Sequence, residues 1–204
     1  MMANASGWPS GWASGTYGLA VHRVSRRMRR YLPRTWVNPK LVHGESKIHY
    51  DGVLVIAPVR AGEKLMEFGG RLVSRAESDD QEKYRVRSVW LVGEDAYLAL
   101  PSSDTEPSLD ENLNHSCDAN AWLADEVTLV AKRDIAPGDE VTLDQGTWNF
   151  DVAEYTVDAE DCTCGAADCR VRLTENDWHL PAVQERYRGH FHPYVQALID
   201  KRRA

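Results

Sequence analysis

Asn114-His115-Ser116-Cys117, followed some forty-five residues later by Cys162-Thr163-Cys164-Gly165-Ala166-Ala167-Asp168-Cys169-Arg170, contains all 4 cysteines of the 204-residue chain. Four thiolates are what a closed tetrahedral zinc site requires. The Cys-x-Cys-x4-Cys spacing, with a glycine in its turn, lets three sulfurs converge on one ion, and Cys117 returns from a distant loop as the fourth ligand. Binding of one structural zinc ion would therefore clamp the tail onto the body of the fold. Two disulfides are the competing reading, but a Cys162–Cys164 bridge would be strained, and nothing resembles a secretory signal with an apolar core and a small-residue cleavage site. The expectation is zinc on Cys117, Cys162, Cys164 and Cys169 in a reducing compartment, the cytoplasm or, in a eukaryote, the nucleus.

Between the two cysteine segments stands Gly138-Asp139-Glu140-Val141-Thr142, and upstream lie Val53-Leu54-Val55-Ile56-Ala57, Ala61-Gly62-Glu63-Lys64-Leu65 and Glu67-Phe68-Gly69-Gly70. In this order the motifs resemble a SET domain with its post-SET zinc tail, over roughly residues 45–170. The last two segments are similar to the family's I-x-x-G-E and E-Y-x-G elements. The resemblance implies a mainly β, β-clip-like fold with short helices, a zinc-clamped tail and C-terminal helices. It also implies a pseudo-knot where Leu113–Cys117 and Glu140–Asp144 cross. The activity implied is methyl transfer from S-adenosylmethionine to a lysine side chain or other amine. Tyr50, Gly52, Val53, Asn114 and His115 are then the expected cofactor-binding residues.

Length suits one core with short extensions. The domain reading is a flexible basic arm at 1–44, a SET domain at 45–150, a post-SET zinc segment at 151–173 and a helical extension at 174–204. The chain has 24 basic and 31 acidic residues, net −7. Residues 1–40 hold seven basic residues and no acid, so the remainder has 17 basic against 31 acidic residues, net −14. The cluster Arg26-Arg27-Met28-Arg29-Arg30 can touch an anionic surface or the acidic body, or serve as a nuclear address, yet a charge run alone says little about a partner. Direct nucleic-acid binding and membrane association are not expected. An acidic body suits a basic protein substrate or a small amine. Oligomeric state is not legible.

From Ser46 onward short apolar runs alternate with turn signals, which marks a β-rich domain. Val53–Ile56 and Arg71–Val73 read as strands. Val89–Val92 with Tyr97–Leu100 forms one expected hairpin, and Trp122–Val130, with Asp125-Glu126 at its centre, another. Helix signals are confined to Glu77–Tyr84 and the tail. There Thr174 with Asp177 resembles a capping box, Pro181 suits a first turn, Gly189 can stop a helix, and Pro193 can begin one whose apolar stripe is Val195, Leu198 and Ile199.

Three departures from the family pattern bear on chemistry. Methyl transfer to an amine needs mainly positioning and desolvation, with a tyrosine hydroxyl beside the methyl group in the family. Here the T-[YF]-D-Y segment reads Thr142-Leu143-Asp144-Gln145, and a glutamine has no accessible pKa. Either another hydroxyl, Tyr97 or Tyr155, fills the space, or the substrate is not a lysine, or the site binds its cofactor without methylating a protein. Tyr97 and Gln145 are accordingly the candidates beside the methyl group, with Trp148 and Phe150 as a channel wall or as packing under the tail. Second, the family's G-x-G-V-F reads Tyr50-Asp51-Gly52-Val53-Leu54. A tyrosine is expected to keep φ negative there, so the loop is displaced or the ring stacks on the ligand, while Asp51 can take the cofactor's ammonium group. Third, Asp110-Glu111-Asn112-Leu113 makes the cleft mouth acidic.

Overall fold

The computed structural model describes residues 30–148 and 161–203, and its compact unit Tyr31–Ala204 carries every strand and helix among them. The strands are short because Gly, Pro and Asp interrupt each apolar run. They are β1 (Trp36–Val37), β2 (Leu41–Glu45), β3 (Asp51–Val55), β4 (Lys64–Glu67), β5 (Arg71–Val73), β6 (Trp90–Gly93), β7 (Ala96–Ala99), β8 (Asn114–His115), β9 (Ala121–Leu123), β10 (Thr128–Ala131) and β11 (Glu140–Leu143). They form three open sheets ordered β1-β4-β10-β9, β2-β3-β11-β8 and β5-β7-β6. Both expected hairpins form, β6 with β7 and β9 with β10.

β11 and β8 set up the site. β11 runs antiparallel to β3, with Val141 opposite Val53, and parallel to β8, with Thr142 opposite Asn114 and Leu143 opposite His115. A parallel pair requires a crossover between its strands, and residues 116–139 make it by way of β9 and β10 in another sheet. Leu113–Cys117 and Glu140–Asp144 thus run side by side, where the pseudo-knot crossing is expected. The main core fills the space between these sheets with Leu41, Val53, Val55, Leu65, Met66, Phe68, Leu129, Val141 and Leu143.

The sheet architecture begins upstream of position 45. Leu41–Glu45 pairs residue for residue with Asp51–Val55, and Trp36–Val37 joins β4, so residues 31–44 are integral to the fold and not part of a flexible arm. The polar interruptions in Leu41-Val42-His43-Gly44-Glu45 conceal the strand from a periodicity search. Residues 1–29 of that arm lie outside the described residues.

The first helix, α1 (Arg75–Ser78), starts before the expected Glu77 because Ser74 takes its N-cap, and it ends at Ser78, far short of the expected Tyr84, which instead forms an isolated β-bridge with Pro101. The Ser74 hydroxyl accepts the Glu77 N–H, and the Glu77 carboxylate accepts the Ser74 N–H in a capping box. In the tail, Asp177 Oδ1 accepts both the N–H and the hydroxyl of Thr174, at 3.2 and 2.8 Å, but Thr174 does not cap a helix: only a 3-10 turn, Asp177–His179, follows, with Asn176 at its N-cap. Helix α2 (Pro181–Arg186) has proline in its first turn, and α3 spans Pro193–Arg203. Gly189 between them has φ +79°, a conformation that suits glycine at a helix end. Val183, Tyr187, Phe191, Val195 and Ile199 bury together with Trp178 against Ala119, two residues beyond Cys117. Each such side chain contributes ~1.5–3 kcal/mol of burial, so this extension is held by packing. Among the described residues, no helix is long and apolar enough to cross a membrane.

Candidate cofactor cleft and thiol centre

β8 delivers His115 and, just beyond it, Cys117 to the interior, and the tail brings the remaining cysteines to them. Ligand atoms of His115, Cys117, Cys162 and Cys164 all lie within 4.8 Å of one another, a cluster able to hold a metal ion. All four cysteines are free thiols. Cys169 sits just outside that cluster, its Sγ 3.6 Å from the Cys162 carbonyl oxygen. Backbone N–H groups point at the sulfurs: Arg170 to Cys117 Sγ at 3.3 Å, Cys117 to Cys164 Sγ at 3.4 Å and Val171 to Cys169 Sγ at 3.3 Å. Such donors favour thiolates. Burial nonetheless pushes the Cys117 thiol up to about 11 and raises Cys162 as well. For Cys164 burial also opposes ionisation, but the N–H groups of Cys117 and Ala166 and the neighbouring thiols outweigh it and bring it down to about 7. Converging sulfurs, supplied with N–H donors but disfavoured as bare anions, are a donor set suited to a thiophilic cation.

His115 stands beside this centre in a defined tautomer, assigned from its hydrogen bonds. Nδ1 accepts the Gln145 N–H at 3.1 Å, so the ring proton of the neutral form is on Nε2, 3.3 Å from Cys117 Sγ. Burial holds the His115 pKa down to about 4, against partial opposition from Asp144, which keeps the ring neutral near pH 7. A ring with Nδ1 accepting and Nε2 protonated has no lone pair left for a metal.

On the other side of β8, Asn114 gathers the turn between β2 and β3. Its Nδ2 donates toward the carbonyls of His49 (3.2 Å) and Asp51 (2.9 Å), Ser46 Oγ (3.1 Å) and Glu140 Oε1 (2.7 Å). The Glu140 carboxylate also accepts the Ser46 hydroxyl at 3.0 and 2.8 Å. Gly52 packs tightly here: a Cβ would lie 2.4 Å from Glu140 Oε1 and would displace that carboxylate. Its place in the site comes from close packing against this carboxylate, which the family pattern alone does not show. Thr163 donates to the Ile48 carbonyl at 3.0 Å, so the tail touches the same turn.

Tyr50 is 81 % exposed and adopts φ +42°, contrary to the expected negative φ. Its carbonyl accepts the Ser46 N–H at 3.0 Å to close the turn, and reversing the chain there imposes a left-handed residue at a cost of roughly 1–2 kcal/mol. Backbone strain of this kind concentrates at functional sites. Val53, by contrast, is fully buried in the main core, so its side chain serves packing.

Gln145 begins a single 3-10 turn, Gln145–Thr147. Tyr97 is buried in a small core with Val73, Tyr84, Leu91 and Ala99, and its hydroxyl faces Arg75 Nη1 at 3.3 Å. Trp148 packs on Trp90 at 4.8 Å, and Trp90 stacks on Phe68 at 3.7 Å, so its visible role is packing. Phe150 and Tyr155 lie outside the described residues. Glu111 pairs with Arg85, and burial raises its pKa.

One buried group has no counterpart in the sequence reading. Arg170 Nη1 and Nη2 each donate at 2.7 Å to the two oxygens of Asp144, and its Nε donates at 2.8 Å to Asp177. The Asp144 side chain is 0 % exposed. Arginine directly after the last cysteine was the available signal, but spacing does not reveal its partners.

The open β sheets, the parallel β8/β11 pair and the Asn-His-Ser-Cys turn define a class: residues 51–146 match the SET domain, and the chain carries a SET domain there. It is 30% identical over 165 residues, 74% of this chain, to "Histone-lysine N-methyltransferase TRX1" of Oryza sativa subsp. japonica. It is 28% identical over 154 residues, 69% of this chain, to "Histone H3-lysine(4) N-trimethyltransferase ATX1" of Arabidopsis thaliana. The matched segments are only 15% and 14% of those proteins. A chain in "Structure of ctPRC2 in complex with H3K27me3 and H3K27M" is matched with TM-score 0.42 and 19% identity, covering 51% of this chain and 14% of that one.

Proposed function

We propose that the protein is an S-adenosylmethionine-dependent methyltransferase acting on a lysine side chain or other amine of a basic protein, with one structural zinc ion held by Cys117, Cys162, Cys164 and Cys169. The SET domain and the names of its relatives support the reaction class. The observation that carries the site is Asn114. Its two N–H bonds are consumed by the protein, which leaves Oδ1, an acceptor, as the atom it can offer a ligand. The turn it holds carries the Tyr50 ring, which is exposed, and the Asp51 carboxylate, which is exposed and lies 3.5 Å from His43 Nε2. An acceptor, an anion and an aromatic face suit a ligand with an ammonium group and a purine.

S-adenosylmethionine supplies an electrophilic methyl group on a sulfonium. Asn114 and Glu140 hold the Ser46–Gly52 turn in place, and Asp51 favours the cationic end of the ligand. The Gln145 amide oxygen can accept from an amine or from a polarised methyl C–H, but cannot remove a proton, so the amine must arrive neutral. For the metal, the His115 tautomer favours Cys169 as fourth ligand, with His115 donating to Cys117 as an outer partner. Thiolate ligation supports a reducing compartment, cytoplasm or nucleus.

Gln145 favours one second reading, a SAM-dependent reaction on a small amine or a module that binds without turnover, since Tyr97 is engaged by Arg75. The test is calorimetric titration of the zinc-loaded protein with S-adenosylmethionine and S-adenosylhomocysteine. Micromolar affinity, about −8 kcal/mol, is expected; no heat with either ligand at two temperatures would overturn the cofactor reading.

A further inference from the structure

We infer that Arg170 is a positioning residue that couples the thiol centre to the Gln145 turn, so that metal and cofactor each bind more tightly in the presence of the other. The inference rests on the cofactor reading above, but begins from the buried ion cluster. Arg170 has two ends with different tasks. Its backbone N–H lies 3.3 Å from Cys117 Sγ, next in sequence to Cys169. Its guanidinium spans Asp144 and Asp177.

Asp144 in turn shapes the Gln145 turn. Its Oδ1 accepts the Gly146 N–H at 2.9 Å, and its carbonyl accepts the Thr147 N–H at 3.0 Å and the Thr147 hydroxyl at 2.7 Å. The Gln145 N–H itself goes to His115 Nδ1, whose other nitrogen meets Cys117 Sγ. The turn is therefore held from two sides, and both supports end at Cys117. Thr147 then passes the link to the helical extension by accepting the His192 N–H at 2.8 Å.

The charges make the coupling strong. Asp144 and Asp177 are 0 % and 5 % exposed, and Arg170 is 13 % exposed. Although burial disfavours its charge, Asp144 and Asp177 raise the Arg170 pKa and keep it cationic. Without the guanidinium, Asp144 would be a buried carboxylate lacking its bidentate partner, and removal of one member of such a pair is far more damaging than replacement of both. Arg170 follows Cys169 directly, so its reach to Asp144 depends on the 162–169 loop being folded onto Cys117. Metal that fixes the loop fixes Asp144 and the Gln145 turn, and linkage makes the effect reciprocal.

The test uses the full chain with cobalt as a spectroscopic substitute for zinc. In the wild type, cobalt loading should raise affinity for S-adenosylhomocysteine by about tenfold over the chelated protein and slow hydrogen exchange at the amides of residues 145–147. In Arg170→Gln the cobalt–thiolate absorption should persist while both metal-dependent effects vanish. Arg170→Lys, which keeps the charge but cannot fork onto a carboxylate, should restore part of the effect. Undiminished coupling in Arg170→Gln would overturn the inference. If chelation unfolds the wild type, or Arg170→Gln does not fold, metal-loaded Arg170→Lys decides: weaker ligand binding and faster exchange at 145–147 with an unchanged cobalt spectrum support it, and wild-type values overturn it. Failure of the cofactor reading would look different, with no ligand heat in any form, and the exchange data would still decide the role of Arg170.

Discussion

Gly52→Ala tests the construction of the cleft at its tightest point. The new methyl would lie 2.4 Å from Glu140 Oε1, 2.7 Å from Glu140 Cδ and 3.1 Å from Ser46 Cβ. A glutamate tip is flexible, so the overlap is relieved by swinging the carboxylate away. The cost lies in what that tip holds, the Ser46 hydroxyl and the Asn114 amide at 2.7–3.0 Å. Hydrogen bonds to a charged group contribute about 1.5–3 kcal/mol; water can replace part of this at a half-buried site, which leaves a loss of ~2 kcal/mol. Gly52 lies in a strand without positive φ, and alanine there gains ~0.5 kcal/mol by restricting the unfolded chain. The net expectation is ~1.5 kcal/mol of destabilisation, a fall of roughly 1 M in the urea midpoint. In a Glu140→Ala background the methyl meets no carboxylate and only the 3.1 Å approach to Ser46 Cβ remains, so the same substitution should become nearly neutral, with a coupling energy of ~1.5 kcal/mol. Tryptophan fluorescence over the four-protein cycle measures this. An equal cost of Gly52→Ala in both backgrounds would refute the argument.

The fourth metal ligand can be read from cobalt spectra: Cys169→Ser should shift the charge-transfer bands, while His115→Ala should preserve them and weaken affinity by about ten- to a hundredfold; the reverse pattern would make His115 the ligand. His192 is fully buried, and burial holds its pKa down to about 4 against 6.5 ordinarily, despite Glu126 and Asp125. The unfolded chain therefore takes up this proton first, and the stability due to neutral His192 is complete above about pH 6.5 and lost progressively toward pH 4, by at most ~3 kcal/mol. His192→Asn, whose side-chain oxygen can accept the Tyr194 N–H as Nδ1 does, should flatten the dependence of the urea midpoint between about pH 7 and 5; an unaltered slope counts against it. Gln145→Tyr should raise methylation of a basic protein at least tenfold if the missing hydroxyl limits turnover; loss of activity on a small amine instead would favour the second reading.

The short strands, both hairpins and the proline and glycine bounds of the C-terminal helices were legible because each signal lies within a few residues. Binary pattern, turn chemistry and helix caps act locally, and so does the spacing that brings Cys162, Cys164 and Cys169 into one loop. The motif order also located the Asn114 and Gln145 segments, although strand β2 was hidden by its polar residues. The roles within the site followed from contacts between distant segments. Asn114 meets Glu140 across 26 residues, Thr163 meets Ile48 across 115, and Arg170 meets Asp144 across 26. Those partners are set by the parallel crossover between β8 and β11 and by the return of the tail, which no local preference encodes. Tyr50 was similarly opaque: its intrinsic preference is a negative φ, and closure of the β2–β3 turn overrides it. Propensity and spacing sufficed to recognise the architecture, whereas the uses of Asn114, Gly52, His115 and Arg170 were decided by where folding placed a carbonyl, a carboxylate or a thiol beside each.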